Sequence, residues 1–189
     1  MEIISRFLAL ILIVILSPIL IFVSILCIIF QGFPIIFKQD RVGYNYKTFE
    51  IYKFRTMSED DGDLITVRND SRITKIGKIL RKTKINELPQ IYNVIKGDIT
   101  IVGPRPVLEQ DWKLYPDSII NKIYDVKPGL TGIGSIIFRD EESLVSSVKD
   151  EDYHEFYERV IAPYKGKLEM WYQKNQSLLI DLKLIILTA

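Results

Sequence analysis

The chain has 189 residues with 25 basic and 24 acidic side chains, long enough for one domain with a core plus an appended element. The even charge balance excludes a general nucleic-acid binder, whose domain would carry a basic excess. One cysteine, Cys27, and one histidine, His154, exclude a disulfide framework and a Cys- or His-rich zinc site within the chain, so any bound metal is expected to be hard and oxygen-liganded, such as Mg²⁺.

From Phe7 to Phe30 the sequence FLALILIVILSPILIFVSILCIIF carries no charge. A straight helix of that length reaches about 36 Å, enough to cross a bilayer. The run is too long for a signal peptide, and no small-residue cleavage site follows it. Ser17-Pro18 sits near its middle, where proline removes a helix hydrogen bond and clashes with the preceding turn, so a kink or break is expected. Two arrangements follow: a kinked single span, or a re-entrant hairpin that bends at Ser17-Pro18 and returns to the side it entered. Arg6 precedes the run, and Lys38, Arg41, Lys47, Lys53 and Arg55 follow it. That basic excess puts the residues after it in the cytosol.

Gln31-Gly32-Phe33-Pro34 ends the helix, with Gly and Pro in the order of a stop. Ile35 to Met57 predicts short strands around a Gly43-Tyr44-Asn45 turn. Lys53 and Arg55 share one face of an extended segment there, either a solvated strand face or an anion contact. Ser58 to Asp63 is an acidic loop without ligand spacing and is expected to be simply solvated. From about Ser71 to Lys82, Ile73, Ile76, Ile79 and Leu80 recur at helical spacing between five basic residues. That pattern makes a basic amphipathic helix, suited to an anionic membrane surface or a polyphosphate.

A second helix is predicted from near Thr83–Asn86 to about Ile95, with Pro89 in its first turn. Asn86 and Glu87 then stand at a helix N-terminus, where free N–H groups and the dipole favour anions. The plain structural alternative is an Asn cap and a Glu compensating the dipole. Gly97-Asp98 makes the next turn, and Ile99 to Val102 a short buried strand. It leads into Gly103-Pro104-Arg105-Pro106, where an Arg stiffened by two prolines is well shaped to grip phosphate oxygens. Lys127 to Gly132 is a turn-rich loop, followed by Phe138-Arg139-Asp140-Glu141-Glu142. Asp150 to Tyr164 predicts a polar helix with His154 on its surface. Trp171 and Tyr172 precede SLLIDLKLIILTA, which suits a helix lying at a membrane interface or a core helix.

Several of these stretches resemble the bacterial sugar transferases, the small monotopic phosphoglycosyl transferases that prime glycan assembly on a polyprenyl phosphate. The resemblance rests on the apolar N-terminus with Ser17-Pro18, IYKFRTM at Ile51 to Met57 and NELPQIYNVIKGDITIVGPRP at Asn86 to Pro106. It extends to KPGLTG at Lys127 to Gly132 and to the closing LLIDLKLIILTA. It implies an α+β fold: a re-entrant membrane helix over 1–34, broken at Ser17-Pro18, then a small, mostly helical cytosolic domain over 35–189. That domain would carry short strands and interfacial amphipathic helices, at the cytoplasmic membrane. The implied activity is transfer of a sugar-1-phosphate from a UDP-sugar to undecaprenyl phosphate, with release of UMP and with Mg²⁺. A second copy of the chain and downstream glycosyltransferases are further candidate partners.

The resemblance also implies roles. Such enzymes work through a covalent phosphosugar on the Asp of an Asp-Glu pair, and here Asn86 stands at that position while Glu87 matches the second member. An amide is a poor nucleophile, although its carbonyl still coordinates a cation. Glu87 then acts as nucleophile or base, Asp98 contributes, or the chain is an inactive membrane-anchored homologue that binds a UDP-sugar or a partner. The intact surrounding motif favours a working enzyme. Glu87, with Asn86, would hold Mg²⁺; Arg81, Arg105, Arg139, Lys53 and Arg55 are the candidate phosphate ligands. The family's Gly-Arg-Asn after KPGLTG is Phe138-Arg139-Asp140 here, a second departure.

Overall fold

The computed structural model describes residues 2–58, 70–141, 144 and 153–188. The acidic stretch beyond Ser58 and the start of the polar helix at Asp150 lie outside the described residues, as does the side chain of His154. The described residues mix helices with short strands, as expected, and divide into two compact units. Unit 1 comprises Met1–Gln39 and Glu50–Lys96; unit 2 comprises Asp40–Phe49 and Gly97–Ala189.

Unit 1 begins with α1, Glu2–Gln31, the one described helix long and apolar enough to cross a membrane. It is assigned as helix straight through Pro18. Pro18 has no N–H to donate to the carbonyl of Val14, and the hydroxyl of Ser17 donates to that carbonyl instead, at 2.8 Å. The Ser-Pro pair thus relieves the vacancy it creates, the way such prolines are tolerated in membrane helices. Ile3, Phe7, Val14, Phe22 and Ile29 are among the many exposed apolar side chains of α1, which a lipid phase would cover. The helix stops at Gly32, whose φ of 68° is the left-handed conformation favoured after a helix end. Its N–H bonds the carbonyl of Ile28 at 3.1 Å.

The strands β1 (Ile36–Val42) and β2 (Thr48–Phe54) pair as the predicted hairpin. Helix α2 runs over Lys75–Lys82, four residues shorter at its start than the periodicity predicts. Thr74 sets that start: its hydroxyl accepts the N–H of Gly77 at 2.9 Å, an N-cap. Val23 and Cys27 of α1 are buried together with Phe54 and Leu80, with Leu20, Ile36, Ile76 and Ile85 packed around them. The second predicted helix is split. Ile85–Gln90 forms 3-10 turns, and only Ile91–Lys96 is α-helix, α3. Pro89 lacks the N–H that an α-turn would need, so the chain tightens before the helix can begin. Asn93 of α3 is fully buried. Its Nδ2 donates to the carbonyl of Glu50 at 2.7 Å, and its Oδ1 accepts the N–H of Tyr52 at 3.1 Å.

In unit 2, β3 (Thr100–Val102) pairs in parallel with β4 (Gly129–Thr131), Thr100 opposite Gly129 and Val102 opposite Thr131. The Lys127–Gly132 stretch is therefore partly strand, not only a loop. Short helices α4 (Glu109–Trp112), α5 (Asp117–Ile120) and α6 (Ile133–Ile137) follow in chain order around these strands. Helix α7 (Tyr153–Phe156) runs through a π turn at Tyr157–Ile161 into α8 (Ala162–Asn175). One core joins Val107, Tyr115, Ile119, Ile123, Tyr124, Tyr157 and Ile161. The last helix, α9 (Leu178–Thr188), buries Leu184 beside Val102 and Tyr172. Its Leu178, Leu179, Leu182, Ile186 and Leu187 stay exposed. One face is thus core and the other apolar and open. Trp171 is exposed as an interfacial residue would be, but Tyr172 is buried, its hydroxyl 2.6 Å from the Asp181 carboxylate.

Asn93 satisfies a backbone donor and a backbone acceptor of β2 at once. Asn93→Leu should fill the same space and orphan both, at about 1–3 kcal/mol each. Thermal unfolding in detergent should show the loss, and an unchanged midpoint would contradict this account of α3 docking.

Candidate active site

The 3-10 segment that carries Asn86 and Glu87 starts from Lys84, whose φ of 58° turns the chain out of α2. The N–H of Glu87 closes the turn on the carbonyl of Lys84 at 3.0 Å. The tight turn points the two side chains differently. Asn86 is buried, and its Oδ1 is an acceptor without a hydrogen-bond partner. Glu87 meets Lys53 of β2, with Oε1 and Nζ 3.2 Å apart and both side chains less than one-fifth exposed. The predicted cation and the predicted acid, far apart in sequence, are thus one half-buried ion pair. Removing either partner would leave a poorly solvated charge.

The other predicted residues of unit 1 are used differently. Arg55 does not join Lys53: its guanidinium donates to the carbonyls of Gln31 and Gly32 at the end of α1, the latter at 3.0 Å. A cation there satisfies carbonyls that the helix leaves open and complements its dipole. Arg81 lies in the last turn of α2. Its charge adds to that of Arg72 in stabilising Asp70, whose carboxyl is held below the usual range chiefly by hydrogen bonds from Arg72. The Arg72–Asp70 contacts include a 2.7 Å bond from Nη2 and two more from Nε.

Unit 2 holds Asp98, Arg105 and Arg139. Asp98 follows Gly97, whose φ of 88° makes the turn, and the carbonyl of Gly97 accepts from Lys127 Nζ at 2.8 Å. Arg139 is exposed in the turn after α6. Arg105 sits between buried Pro104 and Pro106, and its backbone is gripped from both sides. Its carbonyl accepts the hydroxyl of Tyr124 at 2.8 Å, and the same hydroxyl oxygen accepts the N–H of Val107 at 3.1 Å. Its own N–H bonds the carboxylate of Glu169.

Glu169 and Tyr124 are site residues that sequence reasoning missed. Glu169 is 1% exposed, and its Oε1 also accepts the N–H of Gly134 at 3.2 Å, while Oε2 has no partner. Gly134 is glycine because a β-carbon there would overlap that carboxylate oxygen. Burial pushes the Glu169 carboxyl up to about 7, against the opposing pull of Lys165 and of the bonds from Arg105 and Gly134. Among the lysines and other polar residues of Ala162–Asn175, residue type and spacing do not single it out.

No group of three or more His, Cys, Asp or Glu side chains could hold a metal among the described residues. The donors for a cation in unit 1 are instead the unpaired Oδ1 of Asn86 and the carboxylate of Glu87. One carboxylate and one amide oxygen fit Mg²⁺, which keeps several waters and takes further ligands from a phosphate-bearing substrate.

The whole chain, residues 1–189, matches the family model described as bacterial sugar transferase. It is 38% identical over 161 residues to "Uncharacterized sugar transferase EpsL" of Bacillus subtilis (strain 168), covering 84% of this chain and 69% of that protein. It is 32% identical over 177 residues to the undecaprenyl-phosphate galactose phosphotransferase of Salmonella typhimurium, covering 84% of this chain and 33% of the relative. Against the UDP-N-acetylgalactosamine-undecaprenyl-phosphate N-acetylgalactosaminephosphotransferase of Aeromonas hydrophila it is 31% identical over 181 residues, 91% and 38% of the two chains. The chain thus spans about a third of the length of these two phosphotransferases.

The raised carboxyl of Glu169 couples stability to pH. Its folded value of about 7 lies above the usual 4.5, so its contribution is fully present below about pH 4.5 and is lost as pH rises through 7. The native chain should lose on the order of 3 kcal/mol across that window relative to Glu169→Gln. Denaturant titrations of both proteins at pH 5 and pH 8 measure the difference; parallel curves would count against a buried, proton-binding Glu169.

Proposed function

The chain belongs to the bacterial sugar transferase family, and from that premise we propose that it moves a sugar-1-phosphate from a UDP-sugar to undecaprenyl phosphate. The P–O bond between the sugar-1-phosphate and UMP breaks, the phosphorus ends on an oxygen of the lipid phosphate, and UMP leaves. This is the priming step of a polysaccharide or glycoconjugate, and the names of the Salmonella and Aeromonas relatives describe the same class of reaction. The observation that carries the reading is the half-buried Lys53–Glu87 pair, with the unpaired amide oxygen of Asn86 at the adjacent position in sequence. A carboxylate and an unused oxygen donor on one turn, with a cation supplied from β2, suit phosphoryl transfer, where positioning and charge neutralisation dominate.

Each residue has a task in this reading. Lys53 pairs with Glu87 and orients it. Glu87 is the carboxylate left to act as nucleophile or as base, since the Asn86 amide supplies no anionic oxygen. Asp98 is the other carboxylate proposed to contribute. Glu87 and the Asn86 carbonyl would hold Mg²⁺, which when bound neutralises diphosphate charge. Arg81 is the phosphate ligand proposed for unit 1. Arg105, stiffened by its prolines, and Arg139 are those proposed for unit 2. Arg55, whose Nη2 meets the end of α1, and Lys53 complete the proposed phosphate ligands.

Residues 1–34 are the proposed membrane element, re-entrant at Ser17-Pro18, with residues 35–189 on the cytosolic face of the bacterial inner membrane. The exposed apolar sides of α1 and α9 support that placement. Homo-oligomers and downstream glycosyltransferases are the further partners it allows.

The test is Mg²⁺-dependent UMP release by the purified protein in detergent, given undecaprenyl phosphate and a panel of UDP-sugars. Release with one sugar is expected, and Glu87→Gln or Arg105→Ala should reduce it by about 100-fold or more without unfolding the protein. Folded protein that binds a UDP-sugar, releases nothing, and gains turnover on Asn86→Asp would replace this reading with that of a binding homologue.

A further inference from the structure

Helix α8 carries two charged side chains one turn apart, Lys165 and Glu169, that are 3% and 1% exposed. Glu169 reaches two segments of unit 2, and Lys165 reaches the second of them. Glu169 accepts the backbone N–H of Arg105 and, through Oε1 at 3.2 Å, that of Gly134. Lys165 places Nζ 2.9 Å from Glu141 Oε2 and lies 5.5 and 5.7 Å from the ring centres of Phe138 and Tyr157. The two segments so held are the Pro-Arg-Pro corner and the stretch from Gly134 to Glu141. They carry Arg105 and Arg139.

Packing alone does not explain this choice. A buried ion pair is rarely more stabilising than apolar residues of the same volume, and α8 is otherwise surrounded by apolar neighbours such as Tyr115, Ile119 and Ile161. What a carboxylate supplies and a leucine does not is a directional acceptor for two backbone donors. What an ammonium supplies is a fixed point for an acidic side chain and for two ring faces. Both are devices for fixing where a segment stands.

We propose that Lys165 and Glu169 are positioning residues: one face of α8 sets the placement of both arginine-bearing segments of its unit. Glu169 fixes the backbone from which the Arg105 side chain projects, and Lys165 fixes the turn from which Arg139 projects. The catalytic consequence rests on the phosphate-binding role proposed above for the arginines. The positioning itself does not.

The experiment therefore reads both. Hydrogen exchange by mass spectrometry on the full chain in detergent reports the amides of Gly103, Arg105 and Val107 and those of 132–141, and steady-state UMP release reports kcat and the KM for the UDP-sugar. Glu169→Leu should speed exchange at both stretches, raise the KM and lower kcat by about 100-fold, the scale of a misplaced catalytic group. Glu169→Gln keeps an acceptor oxygen and should bring exchange and turnover back toward the native values. Unchanged exchange in Glu169→Leu, or Glu169→Gln no better than Glu169→Leu, overturns the proposal. Faster exchange with native kinetics upholds the positioning and removes the arginines from the reaction. If Glu169→Leu fails to fold, Lys165→Met decides. It keeps the packing on Phe138 and Tyr157, and should speed exchange at Arg139 and Glu141; native exchange there overturns the proposal.

Discussion

Backbone polar groups with no strand or helix partner are the constraint around which this protein is built. Among the described residues there are only two sheets, each of two strands, so many chain reversals leave N–H and C=O groups that regular structure does not satisfy. Each such group buried unpaired costs as much as several good contacts supply. The chain answers with side chains aimed at backbone. Ser17 takes the carbonyl that Pro18 abandons, Arg55 the end of α1, and Asn93 both polar groups of β2. Tyr124 takes the carbonyl of Arg105, and Lys127 that of Gly97. The fold is held by these bonds as much as by its modest cores.

That rule makes its exceptions informative. Asn86 Oδ1 and Glu169 Oε2 are among the buried side-chain atoms with no hydrogen-bond partner. A buried polar atom left open calls for an explanation. These two oxygens differ in kind. Glu169 spends its other oxygen on backbone donors and has its carboxyl pushed up to about 7 by burial, so protonation can relieve its cost. The Asn86 amide has no such recourse, because it does not titrate.

How far the sequence revealed this depends on range. Features set by neighbours in the chain were legible: the apolar α1, its stop at Gly32, the hairpin, the turn at Gly97, and the Pro-Arg-Pro corner. Local competition blurred others. Thr74 outcompetes the apolar periodicity for the start of α2, and Pro89 forces 3-10 turns where the pattern suggests a helix. Long-range pairing was hidden. The parallel match of Thr100–Val102 with Gly129–Thr131 turned an apparent loop into a strand, and Lys53 found Glu87 across a separation that no periodicity encodes. Arg55 meets the carbonyls at the end of α1, a contact that its place in the motif does not reveal. Glu169 was missed because burial, not type or spacing, gives it meaning.

The amide at position 86 also changes the electrostatics of its turn. Two adjacent carboxylates sharing Lys53 would leave the turn net negative, and each would oppose the ionisation of the other. With Asn86, the turn brings a single carboxylate to Lys53, in a half-buried pair of one cation and one acid. Nearby, Asp70 is outnumbered by Arg72 and Arg81, which together hold its carboxyl below the usual range. Unit 1 therefore gathers a half-buried ion pair, a buried amide oxygen with no hydrogen-bond partner and a cationic helix end. In the reading proposed above, the amide would lower repulsion of an anionic substrate and leave a divalent cation one fewer negative ligand.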